Sequence, residues 1–209
     1  MKIERRFTDA ARANVRMGEG DKPKIYGYAS VFYNGQQGTE YDIYGDGYLI
    51  ERIMPGAFDR AVREDDVRAL FNHDAARVLG RSKSGTLSLS VDSTGLRYEI
   101  DPPNTATAAE VVELLARGDV SGSSFAFLVT DSNPIRKEGG RRILEITGVQ
   151  LFDVGPVTYP AYTAASSGVR SKNIADDNHE VMVRDFDRRL RERERRLRLL
   201  KISTPKTVG

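Results

Sequence analysis

The sequence predicts an α+β fold, mostly antiparallel β and of barrel or sandwich type, with helices attached to it. Three observations carry this. Between residues 24 and 159, short runs of β-branched and aromatic residues recur between Gly- and Asp-rich turns. Within that stretch two segments, 54–65 and 107–118, have helical spacing. After residue 170 the composition shifts to a charged segment with a helical period of its own.

Residues 1–23 are polar and are expected to form a flexible N-terminal segment. "KIYGYASVFY" (24–33) predicts a strand, and the Gly- and Asp-rich "NGQQGTEYDIYGDGY" (34–48) a loop. "MPGAFDRAVRED" fits a short helix opened by Pro55, with Phe58 and Ala61 facing inward. "VRALFNHD" (67–74) predicts a strand running into His73, followed by a turn at "RVLGRS". In "GTLSLSVDSTGLRYEIDPP" (85–103), Leu87, Leu89 and Val91 alternate onto one face, and Asp92 to Gly95 supplies the turn of a hairpin.

The segment "TAAEVVELLARGDV" predicts a helix. Thr107 and Glu110 match a capping box, Val111, Leu114 and Leu115 make an apolar stripe, and Gly118 stands where a left-handed cap is wanted. A turn containing Ser121 and Ser123 then leads into a strand near Ser124, with Phe125, Phe127 and Val129 on its core side. Two further strands are expected at 141–149 and 150–159.

The main domain is expected over residues 24–170, and 171–209 as a linker followed by an amphipathic helix. In that helix Val183, Phe186, Leu190, Leu197 and Leu200 lie on a heptad seam that Arg193 interrupts. Asp185 with Arg189, and Glu192 with Arg196, give i, i+4 pairs with the acid first. So sparse a stripe needs a partner, either a second copy of the chain or another protein.

Composition narrows the chemistry. Apolar residues make up 39% of the 209, enough for a core, and the net charge of +2 gives no overall pull on nucleic acid. The tail's arginines are interleaved with Asp185, Asp187, Glu192 and Glu194, which argues against a specific nucleic-acid arm. The chain has no Cys and two His, which excludes disulfides, thiol catalysis and cysteine or His-rich metal sites. The N-terminus lacks the apolar core of a signal peptide, and no apolar run approaches the roughly 20 residues of a membrane span, so a soluble chain is expected.

A serine hydroxyl becomes a nucleophile when a base takes its proton, and histidine does this best near neutral pH. His179 lies in the charged linker and reads as solvated, whereas His73 closes the apolar run "ALFNHD". In "GDVSGSSFAFLV" (118–129), alternation fixes Ser124 on the face opposite the phenylalanines, next to the small Ala126, while Ser121 and Ser123 read as turn hydroxyls. The pattern alone leaves the ordinary alternatives open: a core or edge histidine, and serines that only make a hinge.

Taken together, "YGYASVFYN", "ERIMPGAFDRAV", "LFNHD…VLGRSKSGTLSLSVDSTGLRYEID", "LLARGDVSGSSFAF" and "DVGPVTYPAY" resemble the prohead maturation proteases of tailed bacteriophages, in order and spacing, from about residue 24 to 166. That family is related to the herpesvirus assembly protease, a serine protease on a small β-barrel ringed by helices. The resemblance implies that residues 24–170 are a serine protease domain of this barrel type. It implies an endopeptidase that trims scaffold or capsid-protein segments, and in some cases itself, inside the immature head in the host cytoplasm. Its partner would be the major capsid protein or its scaffolding segment, with no membrane and no cofactor or metal. The resemblance places the nucleophile at Ser124 and the base at His73. A non-catalytic assembly protein of the same fold is the rival reading, and the intact Ser124 and His73 count against it.

The herpesvirus relatives use a second histidine as the third member. Here the spare one, His179, is outside the matched region, so an acid is expected. Asp74 adjoins His73 and would point to the opposite face of a strand. Glu145, in "RRILEI", reads as a surface carboxylate. Asp153, between Phe152 and Val154, must find a partner if buried, and the imidazole of His73 is a suitable one. The family pattern also has its acidic position before "VGPVTYPA", so Asp153 is preferred and Glu145 is the alternative. Backbone N–H groups near Gly80 and Gly155 are candidates for holding an oxyanion.

Overall fold

The structure is a computed structural model that describes residues 3–6, 12–43, 47–159 and 188. In chain order its elements are β1 (Glu4–Arg6), β2 (Ala13–Met17), β3 (Pro23–Val31), β4 (Tyr41–Asp42), β5 (Leu49–Ile53), α1 (Asp59–Glu64), β6 (Arg68–Leu70), β7 (Val78–Arg81), β8 (Leu87–Val91), β9 (Gly95–Ile100), α2 (Ala106–Arg117), β10 (Gly122–Ser132), β11 (Arg136–Glu138) and β12 (Arg141–Val157). The fold is therefore mostly strand with few helices, as the alternating runs predict. The chain divides into two compact units, Met1–Ala165 and Ser166–Gly209, and all of these elements lie in the first. The expected C-terminal helix, with its seam from Val183 to Leu200, falls outside the described residues, as does His179. Among the described residues no helix is long and apolar enough to cross a membrane.

Two sheets form. The smaller has the order β2-β3-β9-β8, all antiparallel, and contains the predicted 85–103 hairpin. Asp92 closes that hairpin: its Oδ1 accepts from the backbone N–H of Thr94 (2.8 Å) and of Gly95 (3.1 Å). The larger sheet runs β1-β10-β12-β5-β4, with β11 and β6 also on β12, and β7 on β6. Its core is aromatic. Phe125 and Phe127 stack at 4.6 Å between centroids, and Phe58 meets Phe125 edge-on at 5.6 Å.

β12 organises the larger sheet. One edge pairs antiparallel with β10, and the other pairs in parallel with β5 (Arg142–Ile146) and then with β6 (Asp153 and Val154). Between these two partners, the segment around α1 satisfies the edge. The Val149 N–H donates to Ala57 O (3.2 Å), Arg60 Nη2 donates to Val149 O (2.8 Å), and the Leu151 N–H donates to Asp65 Oδ2 (2.7 Å).

Several elements differ from expectation. Residues 1–23, expected to be flexible, contribute β1 on β10 and β2 on β3. Each is short and finds its ladder in a strand distant in sequence, so local pattern does not reveal it. β5 is an unpredicted strand whose five residues are all buried, because two charges interrupt its apolar pattern and are paired internally. Its Arg52 is 2% exposed, bonds to Glu40 and Glu138, and lies over the Tyr33 ring at 4.0 Å. The two strands expected at 141–149 and 150–159 are one, β12. "VLGR", expected as a turn, is β7, where Gly80 is required because a Cβ would come within 2.7 Å of Thr86 O. α2 is capped by Thr105, whose Oγ1 accepts from the Ala108 N–H at 3.3 Å, so the Thr107–Glu110 box is not used. Gly118 ends α2 at φ 82, the left-handed cap that was expected.

Candidate active site

The serine run becomes strand two residues earlier than predicted, so Ser123 and Ser124 both belong to β10 and only Ser121 lies before it. Ser123 is fully buried, and its Oγ donates to the Tyr98 hydroxyl (3.1 Å) on β9, joining the two sheets. It is a core hydroxyl, not a hinge. Burial raises the Tyr98 phenol well above the usual tyrosine range. Ser124 points the other way, lies opposite Gly155 in the ladder and is 2% exposed.

His73 is not on a strand. β6 ends at Leu70, and the chain turns through Asn72 and His73, each at φ 56. Two consecutive non-glycine residues in the left-handed region cost roughly 1–2 kcal/mol each. Asn72 holds the turn against the end of β12. Its N–H donates to Pro156 O (3.0 Å), its Oδ1 accepts from the Thr158 N–H (2.8 Å), and its Nδ2 donates to Thr158 Oγ1 (3.0 Å). Asp74 closes the far side as a turn residue, accepting from the Ala76 N–H (2.9 Å). Phe71 O accepts from the Asp74 N–H (3.1 Å), and Arg77 O from the Phe71 N–H (3.1 Å). Strain held by so many bonds is the pattern of a functional turn.

The turn brings three side chains into line. His73 Nε2 lies 2.8 Å from Ser124 Oγ, and His73 Nδ1 lies 2.5 Å from Asp153 Oδ1. An ionised carboxylate only accepts, so the Asp153 contact requires the proton on Nδ1 and leaves the Nε2 lone pair toward Ser124. Asp153 is 8% exposed and sits on β12 between Ala126 of β10 and Arg68 of β6. Glu145 is not part of this group: it accepts from Asn133 Nδ2 (2.9 Å) and pairs with Arg136 (2.8 Å). Gly155 is needed for close approach, since a Cβ there would stand 2.1 Å from Leu70 O, just before the histidine turn. Among the described residues no group of three or more His, Asp or Glu side chains could hold a metal ion.

Sequence reasoning missed one neighbour of the serine, Arg6, and the buried acid that holds it, Glu51. Ser124 Oγ also lies 2.9 Å from the carbonyl oxygen of Arg6 on β1. The Arg6 side chain bonds to Glu51 of β5, 2.7 Å from Nε to Oε2. No local pattern marks either residue, because β1 and β10 lie far apart in sequence.

A hydroxyl, an imidazole and a carboxylate in line, built on an all-but-buried strand pair, are the parts of a serine hydrolase. A family model described as caudovirus prohead serine protease matches residues 10–180, and the chain belongs to that family. It is a serine protease of phage capsid maturation, which acts on capsid or scaffold proteins within the assembling capsid in the host cell. Among solved structures, the capsid assembly protease gp21 of bacteriophage T4 is similar. It is 12% identical, with 76% of this chain and 97% of that chain covered and a TM-score of 0.44. A search of curated proteins finds no match.

Proposed function

We propose that Ser124 is the nucleophile, His73 the general base and acid, and Asp153 the acid that orients His73, in an endopeptidase that cuts scaffold or capsid-protein segments in the prohead. The observation that carries this is the His73 ring, held with one nitrogen 2.5 Å from Asp153 Oδ1 and the other 2.8 Å from Ser124 Oγ. Membership of a serine protease family supports it. The proposed domain comprises residues 24–170 with β1 and β2 added, curved in the manner of the herpesvirus assembly protease barrel.

In the first step Ser124 Oγ bonds to the carbonyl carbon of the scissile peptide as its proton passes to His73 Nε2. Asp153 stabilises the imidazolium this creates. The C–N bond then breaks, the proton moves from His73 to the leaving amine, and an ester to Ser124 remains. Water, deprotonated by His73, attacks that ester and releases the carboxylate product and the free serine.

The test has two arms. A fluorophosphonate probe should add one adduct, located by peptide mass spectrometry at Ser124, and Ser124→Ala should not be labelled. Co-expression with the capsid protein of the same phage should give new capsid N-termini with the wild type and none with Ser124→Ala. Labelling at Ser123 in place of Ser124, or undiminished cleavage by Ser124→Ala, would rule the assignment out.

A further inference from the structure

β1 lies along the outer edge of β10 as an antiparallel strand, with Glu4 opposite Phe127, Arg5 opposite Ala126 and Arg6 opposite Phe125. This is how an extended peptide adds to a sheet edge. It brings the Arg6 carbonyl oxygen to 2.9 Å from Ser124 Oγ. A serine protease forms its ester with the residue whose carbonyl meets the nucleophile, so a substrate lying as β1 lies would be cut on the carboxyl side of the residue in Arg6's place.

The side chain of Arg6 occupies a seat made for a cation. Its Nε donates to Glu51 Oε2 at 2.7 Å, Glu4 closes the outer side, and the Phe127 ring lies 5.7 Å from the guanidinium carbon. Glu51 is 3% exposed, and among the described residues Arg6 is its ion-pair partner. Burial works against the charge on Arg6, but the Glu51 and Glu4 carboxylates outweigh it and hold the guanidinium more firmly protonated than usual. A carboxylate buried to this degree requires a cation beside it. Among the described residues Glu51 makes no hydrogen bond or ion pair with His73, Asp153 or Ser124, so the proposed proton relay does not account for it.

We propose that the β10 edge is the seat of the substrate strand, that Glu51 selects Arg or Lys as the residue whose carbonyl is attacked, and that β1 is an intramolecular occupant which the substrate displaces. The proposal rests on Ser124 as nucleophile. Ser124 has one hydroxyl proton. While it is donated to the Arg6 carbonyl it is not donated to His73, so the seated β1 holds the site idle. The occupant also covers a strand edge that would otherwise be open to unwanted pairing.

The test uses full-length protein and a set of peptides differing only at the residue before the cut: Arg, Lys, Leu or Glu. The wild type should favour Arg and Lys. Glu51→Gln, nearly isosteric, should lower kcat/KM for Arg relative to Leu by on the order of a hundredfold, as loss of one partner in a buried charge pair implies. Arg6→Ala keeps the β1 backbone but frees Glu51. It should lower KM for the Arg peptide and raise the fluorophosphonate labelling rate. Wild-type labelling at Ser124 tests the relay separately. Labelled wild type with no preference for a basic residue, or an equal loss for Arg and Leu peptides in Glu51→Gln, would overturn the specificity assignment. An Arg6→Ala protein with unchanged KM and labelling rate would overturn the occupant.

Discussion

Asp153→Asn changes one atom in the proposed relay. The side chain keeps its shape at a position 8% exposed, so no cavity opens. Its amide has two ways to face His73 Nδ1, which lies 2.5 Å from the present carboxylate oxygen. If the amide donates, the imidazole proton is driven to Nε2, and the nitrogen 2.8 Å from Ser124 Oγ can no longer accept the serine proton. If the amide accepts, the tautomer is right, but the imidazolium of the transition state forms without a negative charge beside it. At about 4 Å between charge centres and an effective dielectric of about 20, that lost attraction is about 4 kcal/mol. This corresponds to roughly three decades in rate, and tautomer selection brings the expected loss to about four. The assay is kcat/KM on a cleaved peptide beside the fluorophosphonate labelling rate, with a thermal melt to show an intact fold. Glu145→Gln is the control, since Glu145 bonds to Asn133 and Arg136 instead. Activity of Asp153→Asn within tenfold of the wild type, or an equal collapse in Glu145→Gln, would refute the reasoning.

Three further outcomes are expected. Ser123→Ala should lower stability by about 1–2 kcal/mol in denaturant melts, because the buried Tyr98 hydroxyl loses its partner, while peptide cleavage stays within a few-fold; a loss as large as that of Ser124→Ala would mean the strand register is misassigned. Gly155→Ala should cost more than about 1 kcal/mol and also slow labelling of Ser124, since the new Cβ at φ 154 meets Leu70 O and pushes β6 and its histidine turn from β12; a stable, fully labelled variant is the contrary result. Asp66 is held down to about 2 from 3.8, first by its hydrogen bonds from Arg81, so it adds stability that is present above about pH 3.8 and fades as pH falls through about 2. The melting temperature of the wild type should therefore exceed that of Asp66→Asn near neutral pH, and the gap should close in acid; a gap unchanged down to pH 2 would show that the pair does not titrate as described.

What was legible in the sequence follows the range of the forces involved. The 85–103 hairpin and the buried face of α2 are short-range patterns, period 2 with an Asp–Gly turn and period 3.6 with a Gly cap; the hairpin is found as read, and α2 buries Val111 and Leu115 together with Ala108, leaving the expected Leu114 half-buried. Cap choice was less determined, because Thr105 and Thr107 are both competent and only the actual start of the helix at Ala106 selects between them. β5 was hidden because Glu51 and Arg52 break an apolar run, and their partners, Arg6, Glu40 and Glu138, are supplied by tertiary structure. The left-handed turn at Asn72 and His73 has no glycine to announce it. Side-chain alternation put Ser124 on the face away from the phenylalanines, and its apolar neighbours marked Asp153 as an acid in need of a partner, because both signals concern a single strand; the choice of these residues over the alternatives came from the family resemblance. The contact of Arg6 with Ser124 spans 118 positions and leaves no local trace.

The site geometry comes from the two edges of β12. Ser124 arrives from β10 on one edge, the His73 turn follows β6 on the other, and Asp153 stands on β12 itself. In the ladder Ser124 faces Gly155, and Asp153 faces Ala126. The hydroxyl and the carboxylate therefore lie diagonally on one face, each opposite a residue with little or no side chain. That pairing leaves space over the sheet for an imidazole to bridge the diagonal. Gly155 also admits the Leu70 carbonyl, so the same missing Cβ lets β6 come close enough to deliver His73. Asn72 then fixes the ring's entry by bonding to Pro156 near the end of β12 and to Thr158 just beyond it. The precision of the proposed relay thus depends on backbone ladders on both sides of one strand, and only a two-residue turn, tied at both ends, lies outside them.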